Sequence, residues 1–201
     1  FSFGTAALFN YTGLFESIYF SFGMGFTLVI SIVEIILVIS VSRVVFKLNT
    51  KKAISLFLIY SIINGLTLSY IFYCYELESI IYVFLATAGI FGVMALLGHT
   101  TKVDLSKLGN FISISLIGML IAGIILMFAF NETVYLWYTL LGIALFMLIT
   151  AYDIHIIKRL YYSATTAEQQ NAFAIYGALQ LYLDFINIFI RLVYLFARNR
   201  D

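Results

Sequence analysis

The chain has 201 residues, of which 63% are hydrophobic and 10% charged, and its formal net charge is +1. A soluble domain is about 45–50% apolar and about 25% charged, so this surplus excludes an ordinary water-soluble core and points to a multi-pass membrane protein whose constant partner is the lipid bilayer. The near-neutral charge without a basic tract argues against nucleic acid, and the single Cys74 excludes an internal disulfide.

Apolar runs alternate with short polar breaks along the chain. The opening run, 1–9, is shorter than the roughly 20 residues a span needs. It lacks the basic start of a signal peptide and is read as the tail of a truncated first helix. A break over 10–21 holds Glu16, and helix two is expected over 22–46. Lys47, Lys51 and Lys52 separate it from helix three, 53–73. Glu76 and Glu78 precede helix four, 80–97. His99, Lys102, Asp104 and Lys107 fill the next break, and helix five covers 111–130. Asn131 and Glu132 lead into helix six, 134–157, which Lys158 and Arg159 close. After a polar stretch at 161–171, helix seven runs from 166 or 172 to 197. Thr165 and Glu168 have the spacing of a capping box at its start. The pairs Ala88/Gly92 and Gly118/Ala122 have the small-residue spacing that lets helices approach closely in lipid. Proline is absent, so any broken helix must rely on glycine. No repeat of 20–50 residues and no linker is visible, so a single domain over 1–201 suffices.

The breaks after helices two, four and six are basic, and those after three and five carry only acids. Short Lys/Arg-rich loops stay in the cytoplasm, which sets the expected orientation. Seven full crossings would put Arg198 and Arg200 outside, against the same rule. Helix seven is then a central or re-entrant segment, or these two charges are tolerated.

Against this apolar background stand Asp153 in helix six and Asp184 in helix seven. A carboxylate at the bilayer centre costs about 3 kcal/mol on insertion scales. On helix seven, Gly177, Gln180, Asp184, Asn187 and Arg191 recur at three- and four-residue steps, which makes one polar stripe. Lipid cannot satisfy such a stripe, so it turns toward protein or water. Thr150 lies on the same side of helix six as Asp153. Helix two carries Thr27, Ser31 and Glu34 on one side, with Arg43 near its cytoplasmic end. Glu34, Asp153, Asp184 and either Arg43 or Arg191 can therefore gather around an internal cavity. The plainer reading is that the acids only hydrogen-bond locally or pair with Arg191 to fix helix register. Thr27 and Ser31 could satisfy Glu34 in that way. His99 and His155 read as interfacial histidines without metal-ligand spacing.

Two carboxylates about 4 Å apart repel by ~4 kcal/mol at an effective dielectric of 20. Near neutral pH such a pair shares one proton and titrates as a unit. Loss of that proton leaves two charges that repel or recruit a cation. Hard oxygen ligands suit Ca²⁺, so Asp153 and Asp184 are candidates for transient Ca²⁺ contact if they meet. Asp153 lies only five residues before Lys158. Its depth matches that of Asp184 only if the first turns of helix seven stand in the cytoplasm or are shifted.

Several segments resemble the Bax inhibitor motif family: Ala151-Tyr152-Asp153, Leu179-Gln180-Leu181-Tyr182-Leu183-Asp184-Phe185-Ile186-Asn187-Ile188-Phe189, Ser31-Ile32-Val33-Glu34 and Asn64-Gly65-Leu66-Thr67-Leu68. The resemblance implies an all-α, seven-helix transmembrane bundle of the bacterial cell membrane, its C-terminal helix enclosed by the other six. It also implies a passive, pH-sensitive Ca²⁺ leak in which residues matching Asp153 and Asp184 form a hydrogen-bonded pair, contacted by an arginine near the place of Arg43. Ca²⁺ and protons are then the partners, with no cofactor. One alternative is a membrane scaffold. Another is an intramembrane aspartyl protease, which resembles a pattern with Gly-x-Gly-Asp and a later Pro-Ala-Leu. Here Asp184 follows Leu181-Tyr182-Leu183 and the chain has no proline, so no enzyme activity is expected.

Overall fold

The computed structural model describes residues 1–197, apart from the side chains of 19, 20, 22–24 and 26–28. Arg198, Arg200 and the side chain of Thr27 lie outside the described residues. The helices are α1 (Ser2–Tyr11), α2 (Leu14–Phe46), α3 (Thr50–Cys74), α4 (Leu77–Thr100), α5 (Gly109–Phe128), α6 (Glu132–Ser163) and α7 (Ala167–Phe196), with a 3-10 turn at Leu105–Leu108. No strand occurs among the described residues. All but α1 are long and apolar enough to cross a membrane. The fold is an all-α membrane protein. Isoleucine, leucine and phenylalanine stand exposed along these helices, as at Ile114, Ile117 and Leu120 of α5. In water such a surface would be untenable, whereas lipid accepts it.

Most helix limits fall within three residues of those expected, but the start of α2, the end of α6 and the cap of α7 differ in instructive ways. α2 begins at Leu14 rather than near 22, because the break before it is only a tight turn. Gly13 there adopts φ 68°, a left-handed conformation that costs glycine nothing. Glu16 therefore sits in the first turn of α2, where the helix dipole favours an acid. α6 continues to Ser163, six residues past the expected end, since Lys158 and Arg159 are good helix formers once outside the lipid. The cap of α7 is shifted by one residue. Gln169 N donates to Thr166 Oγ1 at 3.2 Å, and Gln169 Oε1 accepts from Thr165 N and Oγ1 at 2.9 and 3.0 Å. Thr166 and Gln169 make the cap instead of Thr165 and Glu168.

The described residues fall into two compact units, 1–80 with 164–179, and 81–163 with 180–197. In the first, α1 and α2 both pack on α3. Ser2 Oγ donates to Ser61 O at 2.6 Å, and Phe15 meets the edge of Tyr70 with ring centroids 6.3 Å apart. In the second, α5 packs on α6, and α4 meets the later half of α7 through Phe84 and Phe91, both edge-on to Phe185. The expected small-residue approach does not occur at Ala88/Gly92 or Gly118/Ala122. A methyl group built on Gly92 or Gly118 meets nothing within 4 Å, and Ala88 is exposed. Close approach falls on Gly98 instead, where a Cβ would run into the backbone of Ala151 on α6.

Candidate functional site

The second unit holds both aspartates. Asp153 is 8% and Asp184 3% exposed, so each carboxyl group is withdrawn from both lipid and water. Asp153 and Asp184 lie close enough to interact electrostatically. Asp184 Oδ2 is buried with no hydrogen-bond partner. Helix α6 runs nearly three turns past Asp153 before it ends, and α7 runs almost five turns before Asp184. The helix bearing Asp184 is buried on several sides nearby, at Ile186, Ile188 and Phe189. The rings of Phe84, Phe91, Phe185 and Phe189 cluster against this part of α7.

The polar neighbours divide into satisfied and unsatisfied groups. Thr150 Oγ1 donates to Phe146 O at 2.8 Å, and Asn187 Nδ2 donates to Leu183 O at 2.9 Å. Both bonds stay within their own helices, so neither side chain reaches for an aspartate. Gln180 is half-buried. Arg191 does not pair with Asp184. Its guanidinium lies over Tyr138 at 4.9 Å and Phe146 at 5.5 Å from the ring centroids, and its Nε is buried with no hydrogen-bond partner. Such stacking contributes ~2 kcal/mol when the cation is desolvated. Gly142 lies between these rings in sequence, and a Cβ on it would come within 2.5 Å of the guanidinium carbon. Sequence reasoning missed this clamp. Its signal was present, since Tyr138, Gly142 and Phe146 recur every fourth residue along one face of α6.

Glu34 belongs to the first unit and has a different environment. Its Oε1 accepts from Asn64 Nδ2 at 3.1 Å and from Thr67 Oγ1 at 2.8 Å, both on α3. These bonds cross between helices, whereas local partners on α2 were expected. Asn64 and Thr67 were visible in the sequence but were not linked to Glu34. Arg43 is exposed in the last turn of α2 and forms no ion pair among the described residues.

Beyond Asp153, the end of α6 is tied to the segment after α4. His155 Nε2 lies 3.7 Å from Asp104 Oδ1, Lys158 Nζ donates to His99 O at 3.0 Å, and Arg159 Nη1 donates to Ser106 Oγ at 3.0 Å. Hydrogen bonds from the Ser106 side chain and backbone hold the Asp104 carboxyl below its usual range. Asp104 therefore stays ionised through the physiological range and does not itself sense pH there. Among the described residues, no three His, Cys, Asp or Glu side chains gather as a metal cluster. Any cation at the aspartates would have two carboxyl groups as its charged ligands.

The family model described as "Inhibitor of apoptosis-promoting Bax1" matches residues 1–201. The chain belongs to the Bax inhibitor-like family. The inner membrane protein YbhL of Escherichia coli strain K12 is 40% identical over 171 residues, covering 84% of this chain and 73% of the relative. An uncharacterized protein of Borreliella burgdorferi is 35% identical over 187 residues, 92% of this chain and 80% of its own. An uncharacterized membrane protein of Streptococcus pyogenes serotype M1 is 38% identical over 169 residues, 84% of this chain and 73% of its own. This Bax inhibitor-like chain is a multi-pass integral membrane protein, similar to a protein of the bacterial inner membrane.

Proposed function

We propose that this protein is a pH-sensitive Ca²⁺ leak in which the Asp153–Asp184 pair is the proton-operated gate. One observation carries this reading. Two carboxyl groups within electrostatic range are buried in membrane helices, and one keeps an oxygen without a hydrogen bond. Two charges in such a place repel strongly. At low pH the pair holds at least one proton, the repulsion is absent and the helices stay together. As pH rises the pair ionises, and the charges either separate α6 from α7 or draw in a cation. Calcium fits by the hardness of its oxygen ligands, and the family resemblance points the same way. A scaffold without transport is the second reading. The local hydrogen bonds of Thr150 and Asn187 favour it, because they leave those two side chains purely structural.

The test is Ca²⁺ flux against pH in liposomes holding the full-length protein. Wild type should leak more as pH rises. Asp184→Asn should lose most of that dependence, because no second charge can form beside Asp153. Asp153→Asn removes the same repulsion and should keep high-pH flux near the low-pH level. A mutant pH profile matching wild type would defeat the gate, and absence of flux at every pH would favour the scaffold.

A further inference from the structure

Arg191 is an odd component of a bilayer helix. It is permanently charged, yet its guanidinium rests on the faces of Tyr138 and Phe146 rather than on a carboxylate, and its Nε has no hydrogen-bond partner. Gly142 makes the space for it. Seven residues earlier on the same stripe, Asp184 Oδ2 is, among the described residues, the other buried side-chain polar atom without a partner. Seven residues is two turns, about 10 Å along the axis and nearly the same face. The guanidinium rests beside Gly142, and side chains on a helix favour rotamers that lean toward the N-terminus, which for Arg191 is the side of Asp184. The two halves of an ion pair are thus present on one stripe and unjoined.

We infer that Arg191 is a tethered cation, parked on two aromatic rings, that competes with the transported metal ion for the aspartate pair. The inference rests on the leak reading above. While the pair holds both its protons, Arg191 has no carboxylate to reach and stays on its rings. Once the pair ionises, Arg191 and an incoming divalent cation are drawn to the same oxygens. The tether gives Arg191 a high local concentration, so it damps entry until the external cation is abundant. The charged groups that could intervene are few. On α6, Glu132 is exposed in the first turn, and His155, Lys158 and Arg159 lie beyond Asp153. The nearby phenols are Tyr135, Tyr138 and Tyr194, with Tyr135 and Tyr194 ring centroids 4.5 Å apart. α4 between Tyr82 and His99 carries no charged residue, and neither does α5.

Two measurements on the full-length protein decide the matter. In liposomes at pH 8, Arg191→Gln should raise Ca²⁺ flux several-fold at low Ca²⁺ and lower the half-saturating Ca²⁺ concentration. Arg191→Lys keeps a charge and should stay below Arg191→Gln. Infrared titration of the carboxyl groups without Ca²⁺, assigned by difference from Asp184→Asn, gives a readout independent of transport. A unit charge at about 10 Å is worth about one pH unit at an effective dielectric of 20, so Arg191→Gln should need a pH about one unit higher to ionise the pair. An unchanged infrared midpoint overturns the inference whatever the flux does. Equal loss of flux in Arg191→Gln and Arg191→Lys also overturns it, because the residue would then only pack. Wild type without pH-dependent flux, beside a shifted infrared midpoint, defeats the leak reading and the competition but leaves the coupling of Arg191 to the pair standing.

Discussion

Glu34 is a membrane carboxylate whose observed partners lie on another helix. Asn64 and Thr67 both donate to the same oxygen, and a typical hydrogen bond contributes about 0.5–1.5 kcal/mol, whereas a buried group left without its partner costs about 1–3 kcal/mol. Removing a donor therefore does more harm than neutralising the acceptor. Asn64→Ala should lower the thermal midpoint in detergent more than Glu34→Gln, which keeps an amide oxygen in the same place. In the double mutant the two effects should fall short of additive by about 1 kcal/mol, the usual signature of residues in contact. Full additivity would mean the contact carries no energy. The two partners were hidden from sequence reading for a physical reason. Periodicity assigns a residue to a face of its own helix, but says nothing of which helix that face meets. Asp184 and Arg191 show the same limit, since spacing allowed a pair, whereas the guanidinium rests on Tyr138 and Phe146.

The elements are held at distances set by a few small residues. Gly98 lets α4 lie against the backbone of Ala151, two residues before Asp153. Gly98→Ala should force the helices apart locally, at a cost of about 1–3 kcal/mol for an overpacked site, read as a lower thermal midpoint. If the midpoint is unchanged, the approach is softer than the geometry states. Helix existence was legible in the sequence because apolar runs of this length have one use in a chain so poor in charge. Helix ends were less so. Lys158 and Arg159 read as a stop, yet the helix continues to Ser163, because charge ends a membrane span without ending a helix. Gly92 and Gly118 carried the spacing of packing motifs but face open space. Small-residue spacing permits an approach without choosing a partner.

At the scale of the whole molecule, the alternation of basic and acidic breaks predicts which loops face the cytoplasm. Single cysteines in a Cys74→Ser background should show it with an impermeant thiol reagent. Positions 78 and 132 should label from outside the cell, whereas 51 and 102 should need a permeabilised membrane. The reverse pattern would invert the orientation and with it the direction from which protons reach the aspartates. Those two carboxyl groups are not mounted alike. Asp153 sits on α6, whose end is fastened by His155, Lys158 and Arg159 to Asp104, His99 and Ser106. Each exposed tie is weak alone, but three within five residues act together as a clamp on that end. Asp184 sits on α7, which is held beside it by ring contacts, Phe185 against Phe84 and Phe91, and by Arg191 over Tyr138 and Phe146. One mounting is thus polar and lies at a helix end, and the other is aromatic and lies along the helix. In the gate proposed above, the member of the pair anchored to the far end of α4 is α6, through His155, Lys158 and Arg159.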